Sequence, residues 1–594
     1  MNDRARSAGF VSVATLEELK ERQCIVVRGE QHPIAVFFHD GQVHACDNRC
    51  PHLGFPLSKG SVEGGVLTCH WHHARFDLTS GCTFDLFADD VPVAAVEVRD
   101  GQVFVSPVCH VADPQNHAKR RLREGMEQNV WLVIAKSVIA MMRDGHDYRA
   151  IVREAALFGA RHRDGWSMGM TILGALANLV PALPEEQQYL ALYNGITRVA
   201  NDCENEVPRR DRYPLDGSEA DLETLKRWLR DWTRVRHRDG AERTLLTAIA
   251  RGATPAQLAD MLVTAATDRF YADTGHALDF INKSLEMLDL IGWDHASSVL
   301  PTTVRQLVAA RGGEESSAWR HPIDLVEMLR EAFVELPRWL ERGRGKEWKD
   351  FSKLAESLRG EDPREVVAAL QVAIEAGAMP TQLTRSLCYA AAMRIARFGT
   401  ANEFGDWITA LHTFTYCNAL HQIFRRLESA NQPISPLLLR GIFHGAMSVY
   451  LDRFLNIPPA ALPGERDERD DGSSDADELL AEYLAALDSQ QRVTAGARVV
   501  ARYLDLKHPL DPLLAALAQG VLREDANFHT FQMLEAAVQQ YREWGDTTEG
   551  RNILVALARY SAAHAPTQRA ALQTAEIAMK LHRGKALHED EPER

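Results

Sequence analysis

Apolar and polar positions alternate with a period of two through roughly the first hundred residues, then with a helical period through most of the remainder. Runs such as CIVVRG, IAVFFHDGQVHAC and VRDGQVFVSP read as half-buried strands, and the Asp40-Gly41 and Asp100-Gly101 pairs read as tight hairpin turns. A small all-β domain is therefore expected over residues 1–108. Residues 109–125, rich in Pro, His and basic side chains, read as a linker. From 126 to 594, segments such as 127–143, 241–266, 277–291, 365–375 and 510–522 carry apolar residues every three or four positions. This pattern predicts one large all-α helical domain, with breaks at 204–218, 311–322 and 463–476. The last break, PGERDERDDGSSDA, is acidic and polar and is expected to be a mobile loop. No fixed repeat period supports a regular solenoid.

Composition narrows the class. At 594 residues the chain is too long for one core, with a length prior of about three or four domains. Its 45% hydrophobic and 25% charged residues are those of an ordinary soluble protein. A formal charge of −15 argues against nucleic acid and anionic membranes as partners. The most apolar early run, 130–142, is short and holds Lys136, so no membrane span is expected. MNDRARSAGF lacks the apolar segment of a secretion signal, and the nine cysteines show no disulfide framework; a cytoplasmic location is expected.

The chemistry concentrates in residues 46–85. Cys50 and His52 form a C-x-H pair, and after sixteen intervening residues Cys69 and His72 form a C-x-x-H pair. Two thiolates and two imidazoles suit a 2Fe-2S cluster with mixed ligation. Tetrahedral zinc is the competing reading, although zinc sites do not normally place Cys and His one residue apart. With Gly54, Pro56-Leu57, Gly60, Gly65, Trp71, Phe76-Asp77 and Gly81, the stretch resembles Rieske domains. Two positions depart from that pattern: His70 stands where a proline is common, and His73 where a glycine is common. His72 is thus the expected ligand and His73 its decoy. The extra inter-loop disulfide of respiratory Rieske proteins would match Phe55 and Trp71, so the resemblance is to the ferredoxin and oxygenase branch. That branch implies a potential of roughly −150 mV.

Several histidines lie in helical contexts: His162, His276, His412, His421, His444 and His529. Neutral imidazole ligates iron and shuttles protons. His412 and His421 are nine residues apart and point to nearly opposite faces. Asp273, His276 and Asp279 are spaced to share a helix side, Pro436 opens the helix of His444, and Asp525 can cap the helix of His529. The Glu-x-x-His pairs of di-iron bundles and a CxxCH haem-attachment motif are missing, which leaves noncovalent haem or a single iron open. Ring-hydroxylating oxygenases follow their Rieske domain with an α+β half, but here Ile281 and Asn282 occupy the place of that family's second histidine. The helical region instead resembles questin oxidase-like proteins, through His162 with Leu173-Gly174-Ala175-Leu176, His412 with Thr415, and Asp525 with His529. That resemblance implies oxidative cleavage of anthraquinone-type polyketides.

The expected protein is an oxidoreductase of monooxygenase type. Electrons pass from an external ferredoxin reductase, through Cys50, His52, Cys69 and His72, to the helical domain, where a small organic substrate is oxygenated. No GxGxxG follows a strand, so NAD(P)H acts only through that partner. His276, His412, His444 and His529 are the candidate metal or acid-base groups, with Asp279 and Tyr416 as supports. Electron transfer within one chain or between subunits of a homo-oligomer is equally compatible. The alternative is an electron carrier or redox sensor whose helices form a protein-interaction scaffold.

Overall fold

The computed structural model describes residues 9–465, 472–585 and 587. They divide into two compact units: the described residues up to Asp147 together with those from Ala570, and Tyr148–Arg569.

The first unit is built on nine short strands. β1 (Val11–Thr15), β2 (Cys24–Val27), β3 (Ile34–His39), β4 (Gln42–Asp47), β8 (Val93–Arg99) and β9 (Gln102–His110) form an antiparallel sheet in the order β1-β9-β8-β4-β3-β2. β5 (Ser61–Glu63), β6 (Val66–Thr68) and β7 (Arg75–Asp77) form a second sheet, and a short helix, α1 (Leu16–Arg22), connects β1 to β2. The two Asp-Gly turns adopt the expected left-handed backbone, with φ of 48° and 79° at Asp40-Gly41 and 49° and 75° at Asp100-Gly101. β3 is apolar on both faces because it separates two cores. Ile34 and Val36 join Leu19, Ala45, Val103 and Val105, whereas Ala35 and Phe37 join Leu57, Leu67, Phe76, Cys50 and Cys69.

The expected linker at 109–125 is not one. β9 runs to His110, and α2 (Pro114–Glu127) begins after three intervening residues, followed by α3 (Trp131–Arg143). Pro114 lies in the first turn, where a missing N–H costs nothing, and the basic run turns inward to acids. His117 Nε2 meets Asp89 at 2.9 Å, Arg120 meets Asp90 at 2.9 Å, and Arg121 donates to the Ala88 carbonyl at 2.6 Å. The helix Ala570–His582 packs on α3 and buries Ala571, Ala575 and Ala578. Both ends of the expected 126–594 domain thus belong to the β-sheet unit.

The second unit is helical. The expected helix at 241–266 is two, Arg238–Ala250 and Pro255–Ala266, because Gly252 turns left-handed (φ 77°) and Thr254 caps the second. Of the expected mobile loop at 463–476, residues 466–471 lie outside the described residues. Its described flanks are held: Arg551 donates to the Pro463 carbonyl and Arg502 to the Gly472 carbonyl. Among the described residues no helix is long and apolar enough to cross a membrane.

Candidate metal centres

Two loops of the first unit repeat one backbone design. The Cys50 N–H donates to the Phe55 carbonyl (2.8 Å) and the Gly54 N–H returns to the Cys50 carbonyl (2.8 Å). In the other loop, the Cys69 N–H donates to the Ala74 carbonyl (2.8 Å) and the His73 N–H to the Cys69 carbonyl (3.0 Å). The residue closing each turn is left-handed, with φ of 89° at Gly54 and 60° at His73. His73 therefore carries a conformation that glycine adopts without strain, which explains glycine's preference there.

This design brings the four expected ligands together. The Cys50 and Cys69 sulfurs are hydrogen-bonded to each other; that bond draws Cys69 down to about 6 and, with burial, pushes Cys50 up. Backbone N–H groups of His52 and Leu53 face the Cys50 sulfur, and those of Trp71 and His72 face Cys69. The His52 and His72 rings lie 4.9 Å apart, nearly perpendicular. His52 Nδ1 is buried without a hydrogen-bond partner, and burial followed by Lys136 pulls its pKa down to about 4. His70 instead reaches Ser61 Oγ at 3.0 Å. An inward, dry imidazole nitrogen beside two paired thiols fits a mixed-ligand iron-sulfur centre.

Comparison with known proteins decides the family. The Rieske [2Fe-2S] domain family matches residues 9–94. Over 99 residues the chain is 31% identical to the ferredoxin component of the naphthalene 1,2-dioxygenase/salicylate 5-hydroxylase systems of a Ralstonia species, covering 16% of this chain and 93% of that protein. The chain belongs to the Rieske family. A Rieske domain implies a 2Fe-2S cluster, which sets the zinc reading aside. The chain is also 47% identical over 66 residues to 4beta-methylsterol monooxygenase of Methylococcus capsulatus, covering 11% of this chain but only 18% of that protein. A solved ferredoxin of carbazole 1,9a-dioxygenase from Nocardioides aromaticivorans aligns at 26% identity over 17% of this chain and 100% of its own, with a TM-score of 0.16. The Rieske relatives are components of oxygenase or oxidoreductase systems.

In the helical unit, three histidines converge from three helices. His276 opens His276–Ile291, His412 lies inside Asp406–Ser429, and His529 is the second residue of Phe528–Trp544. Each offers a ring nitrogen, and these atoms all lie within 4.8 Å of one another. His412 Nε2 meets His529 Nε2 at 2.8 Å, and the His276 and His412 rings are 4.4 Å apart. Burial favours the neutral form of all three: His412 and His529 fall to about 3, each lowered further by two neighbouring histidines, and His276 is lowered despite Asp273. Neutral imidazoles are the metal-binding form.

Asp279 and Tyr416 lie beside the group, whereas Asp273, Asp525 and His444 depart from their expected places. Asp279 lies one turn beyond His276 and accepts from Gln532, one turn beyond His529, so this pair staples the two helices. Burial raises Asp279 to about 6. Asp273 is outside the helix, because Tyr271, Asp273, Thr274 and Gly275 form a left-handed turn with φ between 48° and 96°. The cap of the His529 helix is Asn527, which accepts from the Thr530 N–H at 3.1 Å, rather than Asp525. Tyr416 donates to the Gly441 carbonyl (3.2 Å) and packs against Tyr271 and Gly275, bracing the turn before His276. His444 does not join the group: it is enclosed by Phe270 and Phe333, with both ring nitrogens unpartnered. His162 stacks on Phe158, and His421 bonds Thr384. Sequence reasoning missed Gln532 and Asn527, although His276-x-x-Asp279 and His529-x-x-Gln532 share one spacing.

A cavity of about 620 Å³ opens beside this region, lined by Tyr271, Asp273, Thr274, Trp319, Ile323 and Thr409 among others. Thr274 and Thr409 precede His276 and His412 by two and three positions.

Proposed function

We propose that this Rieske protein is an oxygenase whose 2Fe-2S cluster is held by Cys50, His52, Cys69 and His72, and whose second centre is a single iron held by His276, His412 and His529. The carrying observation is the convergence of three neutral imidazoles from distant helices in a chain whose other unit is an electron-transfer domain. Three imidazoles suit zinc, copper or nickel as well as iron. Zinc has no redox chemistry, and a one-electron donor needs an acceptor that does. Iron at this place would supply one-electron chemistry with dioxygen.

The chain's own groups serve that chemistry. His276 and His529 sit in the first turns of their helices, whose positive ends favour neutral imidazole and any negative charge that develops nearby. The Asp279–Gln532 staple keeps their spacing. The cavity, within the size range of small-molecule sites, suits an aromatic or polyketide-like substrate, in keeping with the questin oxidase-like pattern. Insertion of one oxygen atom takes up dioxygen, two electrons and two protons and releases water. The electrons arrive singly from a separate NAD(P)H-dependent reductase.

Iron and acid-labile sulfide counts on anaerobically loaded protein test this reading. The expected result is about three irons to two sulfides, falling to about two irons in His412→Ala and His529→Ala with the cluster's EPR signal unchanged. About two irons in the wild-type protein after ferrous loading would instead favour an electron carrier or redox sensor.

A further inference from the structure

α3 is apolar along most of its length, and its one charged residue before the final turn is Lys136. The residue as a whole is half-buried, but its ammonium is pressed onto the first ligand loop. It donates to the carbonyls of Pro51 and His52, the latter at 2.7 Å. Among the described residues no carboxylate pairs with this ammonium; Asp89 acts on it from a distance, and Arg49 and Arg121 oppose it. Burying an unpaired cation is costly unless a negative group compensates. Besides Asp89, the negative group this ammonium senses is the cluster site, through Cys50.

The neighbouring helix works on the same ligand. Arg121 of α2 donates to the carbonyls of Leu86 and Ala88, on either side of Phe87. The Phe87 ring meets the His52 ring edge-on at 5.1 Å. α3 therefore grips the His52 backbone while α2 fixes the ring that packs on its imidazole.

We propose that Lys136 is a positioning and potential-setting residue for the cluster: its fixed positive charge beside His52 favours the reduced, more negative state and holds the ligand loop against α3. Net charge and hydrogen bonding around the ligands are among the factors that set iron-sulfur potentials. This inference rests only on the cluster being held by Cys50, His52, Cys69 and His72, and is independent of the helical metal centre.

The test is redox titration of the full-length, cluster-loaded protein followed by EPR, on wild type, Lys136→Met, Lys136→Gln and Lys136→Arg. The neutral variants are expected to weaken reduction about tenfold, a fall of about 59 mV in the one-electron midpoint, with Arg close to wild type. Loss of the cluster from both neutral variants but not from Arg also supports the role of the charge. An unchanged midpoint in a loaded neutral variant overturns the proposal, as does cluster loss from all three variants. Absence of any Rieske signal in the wild-type protein would instead overturn the ligand assignment beneath it.

Discussion

At the scale of single residues, the three histidines among the four residues after Cys69 hold different jobs that composition cannot separate. His70 faces Ser61, His72 faces His52, and His73 closes the turn with φ of 60°. A left-handed non-glycine residue costs about 1–2 kcal/mol, partly offset by the extra chain entropy of glycine. His73→Gly should therefore load the cluster normally and unfold no earlier than wild type, by thermal melting. His72→Ala should lose the cluster's EPR signal and visible absorption. Cluster loss from His73→Gly with retention in His72→Ala would reverse the two roles.

At the scale of elements, what was legible depended on whether the deciding interaction is local. Asp-Gly turns and the paired cysteine-histidine loops declare themselves because their backbone geometry is set by adjacent residues. α2 did not, because Pro, His and Arg side chains look like a solvated linker until Asp89 and Asp90, far earlier in sequence, are placed opposite them. The helix Pro436–Leu451 gives the converse case. His444 is a candidate ligand from its place in the helix that Pro436 opens, yet it is walled in by Phe270 and Phe333. Burial and, secondarily, Arg440 lower its pKa to about 3 from an unfolded value of about 6.5. Between those values the unfolded chain binds a proton that the folded chain refuses, so this residue costs stability as pH falls through the window. His444→Leu should flatten that acid limb by up to about 1.4 kcal/mol per pH unit and, by removing two unpartnered nitrogens, leave neutral-pH stability equal or higher. Denaturant melts at several pH values would show it, and loss of the second iron in this variant would return His444 to the metal site.

At the scale of the whole molecule, the order of segments along the chain is not the order of the units. The helix Ala570–His582, last among the described helices, belongs with the Rieske unit, and the helical spacing of Ala571, Ala575 and Ala578 marks a buried face without announcing which surface it covers. Its end reaches the ligand loops: Arg49, the residue before Cys50, donates to the Leu581 carbonyl (3.2 Å). The same guanidinium meets His32, whose Nδ1 lies 2.8 Å from Asp47. A cation on the last carbonyls of a helix is favoured by the negative end of its dipole, so this contact ties loop and helix together. Removing residues 570–594 exposes the face of α3 that covers Ala571, Ala575 and Ala578, and takes away one hydrogen-bond acceptor of Arg49. Two units with separate cores melt in separate steps. The truncated chain should keep the transition of Tyr148–Arg569, while the Rieske transition moves to lower temperature and cluster loading falls, by calorimetry and by absorbance. A cluster that loads and melts as in the full-length protein would show that the β-sheets and their two following helices hold the ligand loops without the returning helix.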